Sequence, residues 1–164
     1  FESGDGVRNA ELGPDEAAFI QAQRSFYMAT VSETGWPYVQ HRGGEPGFLR
    51  VVDPTTLSFT DLPGNRQFIS VGNLANDDRV ALILMDYAHR RRLKLLGRLA
   101  VEESSGTGRT QREMRIHVEA FDWNCPKYIP VRFEAEDVQR AIDERDHRIR
   151  ELEAQVTRLL QKEK

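Results

Sequence analysis

A single cysteine, Cys125, in 164 residues cannot form an internal disulfide, which fits a reducing compartment. No apolar run approaches the roughly 20 residues that a membrane span needs. The longest, Val80-Ala81-Leu82-Ile83-Leu84-Met85, is strand-sized. Neither sign of charge dominates. The 23 Lys and Arg against 26 Asp and Glu leave a net charge of −3, which gives no general pull toward nucleic acid. His41, His89, His117, His147 and Cys125 are scattered, with no Cys-x-x-Cys or His-x-x-x-His pair, so no metal site is expected. There is no Walker-type phosphate loop and no Gly-x-Gly-x-x-Gly after a strand. The sequence begins with Phe1 rather than Met and carries no basic-then-apolar signal stretch. A cytoplasmic location is expected.

What is present suits a soluble chain with a core. Hydrophobic residues make up 39% and charged residues 30%, an ordinary balance. A domain near this length buries roughly 70% of its unfolded-chain surface. Composition shifts sharply near residue 134. All seven prolines and all twelve glycines precede it, and the last 31 residues hold nine acidic and seven basic side chains with no aromatic. Residues 1–133 therefore read as a turn-rich, strand-rich body, and 134–164 as one charged amphipathic helix.

The body divides into about seven short strands. Phe26 to Val31 is aromatic and β-branched, stops at Glu33-Thr34-Gly35, and resumes from Trp36 to His41 as a hairpin. After the turn at Gly43-Gly44-Glu45-Pro46-Gly47 come Phe48 to Val52 and Leu57 to Thr60, separated by Asp53-Pro54. Val80 to Met85, Arg92 to Val101 and Glu113 to Phe121 complete the set, with residues 104–109 as a loop. Two helices are expected in the body. One runs from Pro14 to Arg24, with Pro14 in its first turn. The other spans Asn65 to Ala75, capped by Asn65, with Phe68, Ile69, Val71 and Leu74 on one face. The expected class is mainly β with added helices (α+β): a small barrel with flanking helices and a long C-terminal helix.

That tail carries a heptad. Ile142, Ile149 and Val156 form one series; Val138, Arg145, Leu152 and Leu159 form its companion. The seam suits either a helix packed on its own domain or one paired with a second copy.

Three places could carry chemistry. Cys125, in Asn124-Cys125-Pro126, is either a nucleophile awaiting a base in space or a small buried hydrophobe; no Lys or His adjoins it to lower its pKa. Asn65-Arg66-Gln67 opens a helix directly after a strand and a Pro63-Gly64 turn. Free backbone N–H groups, the positive dipole end and the Arg66 fork would together hold an anion such as a phosphate. An arginine left in solvent there would oppose the dipole. The run His89-Arg90-Arg91-Arg92-Leu93-Lys94 is the densest basic stretch, but it has none of the interleaved aromatics of a nucleic-acid surface.

In order along the chain, these pieces resemble the pyridoxamine 5′-phosphate oxidase-like family of flavin-binding split β-barrels, over roughly residues 7 to 133. The hairpin through Gly35-Trp36-Pro37-Tyr38-Val39-Gln40-His41-Arg42 looks like the family's first. Leu57-Ser58-Phe59-Thr60-Asp61 with Gly64-Asn65-Arg66-Gln67 is similar to its phosphate-holding strand and helix start. Asp77-Asp78-Arg79-Val80-Ala81-Leu82 and Arg92-Leu93-Lys94-Leu95-Leu96-Gly97-Arg98-Leu99 resemble the next strand pair. Trp123-Asn124-Cys125-Pro126-Lys127-Tyr128-Ile129 resembles the W-N-C-P-Q-H-I signature of an uncharacterised branch.

The resemblance implies a homodimer with FMN at the subunit interface. It implies that Asn65, Arg66 and Gln67 hold the phosphate, and that Gln40, His41 and Arg42 line the flavin ring. Phe59, Thr60 and Arg92 are further implied contacts. Trp123, Asn124 and Cys125 would reach the cofactor from the end of the barrel. Gln67 stands where family sites often carry Lys. The charged helix after Phe133 replaces the C-terminal pyridoxal-phosphate signature of the vitamin oxidases, which speaks against pyridoxamine phosphate as substrate. The expected function is a flavin-dependent oxidoreductase acting on a small molecule. The alternative is a non-catalytic module that stores or senses flavin, deazaflavin or haem.

Overall fold

The computed structural model describes residues 9–61, 72–74, 76–106, 109–123 and 126–162. The chain divides into two compact units, one ending at Ile129 and the other beginning at Pro130.

The first unit opens with α1 (Pro14–Ala22). Pro14 stands at its start, and Glu16 reaches back to accept a hydrogen bond from the Gly13 N–H at 3.0 Å, satisfying one orphan donor of the first turn. The helix stops two residues short of the expected Arg24. The Gln23 side chain donates back to the Phe19 carbonyl at 2.9 Å, and the backbone turns extended so that β1 can begin at Ser25.

Seven strands follow: β1 (Ser25–Val31), β2 (Pro37–Gly43), β3 (Arg50–Asp53), β4 (Thr56–Asp61), β5 (Arg79–Asp86), β6 (Arg91–Gly106) and β7 (Arg109–Trp123). They form one antiparallel sheet in the order β2-β1-β5-β6-β7-β4-β3. The β1–β2 hairpin turns at Gly35, whose φ of +83° suits glycine. The loop expected over 104–109 is largely strand. Ser104 pairs with Gln111, Ser105 with Thr110 and Gly106 with Arg109. Backbone pairing continues past the core because an antiparallel ladder needs no side-chain burial to extend. Of the helix expected over Asn65 to Ala75, only residues 72–74 are described, and 72–73 are helical.

Period-two alternation fills the interior. Phe26 and Met28 of β1, Val80, Leu82 and Leu84 of β5, Leu93 and Leu95 of β6, and Met114, Ile116 and Val118 of β7 are buried together with Phe19 and Ile20 of α1. The sheet bends at a register shift between Leu96 and Gly97. Gly97 is required there, since a Cβ would lie 2.3 Å from the His117 carbonyl oxygen.

The sheet closes on itself through side chains. Its two edges are β2 and β3, and among the described residues no ladder joins β2 to β3 or β4. Instead Phe26 of β1 meets Phe59 of β4 edge-on at 5.3 Å and stacks on Phe48 at 5.7 Å. Arg42 of β2 pairs with Asp61 of β4 at 2.8 Å. The architecture is a split β-barrel: the strand pattern predicts a small barrel, and the family resemblance its split form.

The second unit is the C-terminal helix, Ala135–Lys162. Residues 135–161 are all exposed. No helix among the described residues is long and apolar enough to cross a membrane.

Candidate functional site

The split leaves a cleft of about 360 Å³, within the usual range for small-molecule sites. His41, Arg42 and Gly43 of β2 line one wall; Phe48, Arg50 of β3, and Phe59 and Thr60 of β4 line the other. The sequence builds it by alternation. Along β2, Tyr38, Gln40 and Arg42 are half-buried, while Val39, His41 and Gly43 are exposed. Adjacent residues thus serve opposite faces of one strand.

Arg42 is the centre of the cleft. Its side chain is only 20% exposed, and that of its partner Asp61 is 14%. The guanidinium carbon lies 5.8 Å from the Phe59 ring centroid, close enough for a cation–π attraction. Its Nε is buried and has no hydrogen-bond partner among the described residues. Such an orphan costs about 1–3 kcal/mol. Nε is closed to solvent and so to a ligand as well; what Arg42 presents to the cleft is the exposed remainder of its side chain.

The opposite wall is held by a charge cluster. Arg50 donates from Nε to Ser58 Oγ at 3.3 Å and pairs with Glu113 of β7. Thr60 Oγ1 donates to Glu113 Oε2 at 3.2 Å. Burial pushes the Glu113 carboxyl up, but hydrogen bonds from Ser58 and Arg50, the Arg50 charge and the Thr60 hydroxyl outweigh it and hold the group below its ordinary value. Glu113 is therefore an anion that fixes Arg50 and Thr60 at the rim.

The other residues named from the sequence fall in different places. Gln40 shares a face with Arg42 and donates to the Tyr38 hydroxyl at 2.8 Å. Arg92 lies on β6 opposite Met85 of β5. Trp123 ends β7 in a separate cavity of about 380 Å³ lined by Asp15, Glu16, His89, Arg90, Arg91 and Pro126 besides itself. Its ring N–H donates to Glu16 at 2.8 Å, Phe19 meets it edge-on at 4.8 Å, and the Arg91 guanidinium lies 4.6 Å above it. Asn65, Arg66, Gln67, Asn124 and Cys125 lie outside the described residues. The structure thus gathers His41, Arg42, Phe59 and Thr60 into one cleft.

One feature of the site escaped the sequence reading, namely the outer face of the sheet beside it. The ladders set His41, Tyr27, Ile83 and Lys94 in one row, and Val39, Ala29, Ala81 and Leu96 in the next. Tyr27 is 41% exposed and Val39 60%. The signal was the unbroken run Val80 to Met85. An alternating strand has one wet face, whereas a continuous apolar run suits a strand covered on both. Lys94 is paired with Asp122 at 2.8 Å, and the Lys94 hydrogen bond holds the Asp122 carboxyl below its ordinary value.

A seven-stranded split barrel with a polar cleft at its seam defines the class. The family model for pyridoxamine 5′-phosphate oxidase matches residues 12–119, and the chain belongs to that family. Among solved structures, it is similar to a putative pyridoxamine 5′-phosphate oxidase from Lactobacillus delbrueckii, with 18% identity and a TM-score of 0.56 over 71% of this chain and 97% of that one. It is also similar to HupZ of Group A Streptococcus, with 16% identity and a TM-score of 0.53 over 67% and 91%. A conserved hypothetical protein of Mycobacterium tuberculosis aligns with 14% identity and a TM-score of 0.53 over 79% and 96%. At these identities the likeness is one of fold. No curated protein matches the chain.

Proposed function

We propose that the protein is an FMN-dependent oxidoreductase acting on a small molecule, with the cofactor seated in the cleft at the barrel seam and a second copy covering the adjoining sheet face. The observation that carries this reading is the half-buried Arg42, fixed by Asp61, set against Phe59 and beside Thr60 in the cleft. Proteins of this family often bind flavin and are commonly dimers. Bound FMN would supply the electron chemistry, while the chain supplies position and electrostatics.

Each residue then has a defined task. Arg42 is held by Asp61 and lines the cleft with its guanidinium. As a fixed cation only 20% exposed, it would favour a bound ring that gains negative charge on reduction. His41 is exposed at the mouth on the side of the apolar sheet face, with its ring 5.4 Å from that of Tyr27. Thr60 offers a hydroxyl oriented by Glu113. Asn65, Arg66 and Gln67 carry the phosphate in this reading, as their resemblance to the family's helix start suggests. Tyr27, Val39 and Ile83 give the second copy an apolar surface to bury.

The test is an absorbance spectrum of the purified protein, followed by mass spectrometry of what heat releases. Flavin bands with FMN released are expected. A Soret band, or a released deazaflavin, would shift the assignment to the storage or sensing alternative. Bleaching by a nicotinamide cofactor and reoxidation by a small-molecule acceptor would distinguish turnover from binding.

A further inference from the structure

The C-terminal helix presents a surface that the flavin reading does not use. Its apolar side chains are uncovered along one line: Val138, Ile142, Ile149, Leu152, Val156 and Leu159 are between 43% and 63% exposed. A solvated helix of this length has no reason to keep six such residues in register. Placing Ile142, Ile149 and Val156 at position a of a heptad puts Val138, Arg145, Leu152 and Leu159 at d. β-Branched residues at a with Leu at d favour two parallel strands.

The flanking charges give the orientation. Position e holds Gln139, Asp146, Glu153 and Leu160, and position g holds Ala141, Arg148, Gln155 and Lys162. In a parallel pair, g of one helix meets e of the next heptad on its partner, so Arg148 meets Glu153. In an antiparallel pair, e meets e and g meets g; with Ile149 opposite Leu152 this sets Asp146 against Glu153 and leaves Arg148 opposite Gln155. Arg145, the one charged d residue, faces its own counterpart in the parallel pair, a like-charge contact offset by Asp146 of the other helix in the hole that it enters.

We propose that the C-terminal helix forms a two-stranded parallel coiled coil with the same helix of a second copy, in the register Val138 to Leu159. This surface is distinct from the sheet face invoked above, and the proposal stands without it.

In a parallel coil a d residue faces its counterpart in the second chain, so two cysteines there can be bridged with small backbone adjustment, whereas two at f point apart. The test is carried out on the full chain, with the wild type, whose one thiol is Cys125, as the control for linkage. Leu159→Cys should link two chains on mild oxidation at low micromolar concentration, whereas Gln161→Cys, at the outward position f, should not. Sedimentation should give two chains per particle. Arg148→Glu should weaken the pairing about tenfold, since two cross-helix attractions become repulsions. Arg148→Glu with Glu153→Arg should restore it. Ile149→Lys should abolish linkage through Leu159→Cys.

Linkage of Leu159→Cys no greater than that of Gln161→Cys would overturn the proposal. So would three or more chains per particle, or a charge swap that fails to restore pairing. Loss of linkage with FMN binding intact would remove the coil and leave the flavin reading standing.

Discussion

The barrel and the tail use similar apolar side chains to opposite ends. In the barrel, Phe26, Leu82, Leu95 and Ile116 recur with period two and meet one another inside one chain, each no more than 2% exposed. In the tail, Ile142, Ile149 and Leu152 recur with the heptad period and stay more than 40% exposed. A closed sheet can bury its own inner face, whereas a single helix has only a stripe and needs another surface to cover it. The folding energy of the barrel is therefore internal to the chain, and the tail's seam is available for association.

Substitutions should separate the two regions clearly. The largest effect is expected at the barrel bend and core. Gly97→Ala forces a Cβ against the His117 carbonyl oxygen and should cost about 3 kcal/mol, at the upper end for overpacking. Phe26→Ala removes the ring that joins Phe48 and Phe59 and should cost about 3–5 kcal/mol. Urea denaturation measures both.

Next is the seam. Asp61→Ala leaves the Arg42 guanidinium, only 20% exposed, without its carboxylate. The loss should be about 1–3 kcal/mol, below the value for a fully buried pair and above that for a surface one. A loss under 0.5 kcal/mol would mean that the seam is held by the Phe26 cluster alone. Leu152→Ala in the tail should leave the barrel's unfolding midpoint nearly unchanged, within the usual ±0.5 kcal/mol of a surface change. A shift as large as that of Asp61→Ala would show that the two regions fold together.

The smallest effect is a pH dependence. A side-chain hydrogen bond from Arg79, then its backbone N–H, holds Asp77 down to about 2. A carboxylate with a depressed folded pKa contributes stability above its unfolded pKa and loses it as pH falls through the folded value. Wild type should therefore lose slightly more of its melting temperature than Asp77→Asn between about pH 4 and pH 2. Parallel curves would remove that contribution.

These contrasts also mark what the sequence could show. Strand positions were legible because alternation in Phe26 to Val31 and Glu113 to Phe121 is a local signal. The β6–β7 extension was not, since Ser104 to Gly106 carry no apolar period. The meeting of Arg42 with Asp61, 19 residues apart, depends on closure of the whole sheet, which no local pattern encodes. The engagement of the Trp123 N–H by Glu16, 107 residues away, is of the same kind. The helix start and anion site expected at Asn65 from its turn and cap residues fall outside the described residues.

The central claim is that Arg42 at the seam recognises FMN. Its most direct test is fluorescence titration of the apo-protein with FMN, for wild type, Arg42→Ala and Asp61→Ala. Both variants break the same ion pair, but only Arg42→Ala removes the donor. A charge-assisted hydrogen bond is worth about 1.5–3 kcal/mol, so Arg42→Ala should weaken FMN about 10- to 150-fold. Asp61→Ala should stay within about threefold of wild type. Equal affinity in Arg42→Ala and wild type, or equal losses in the two variants, would contradict the account.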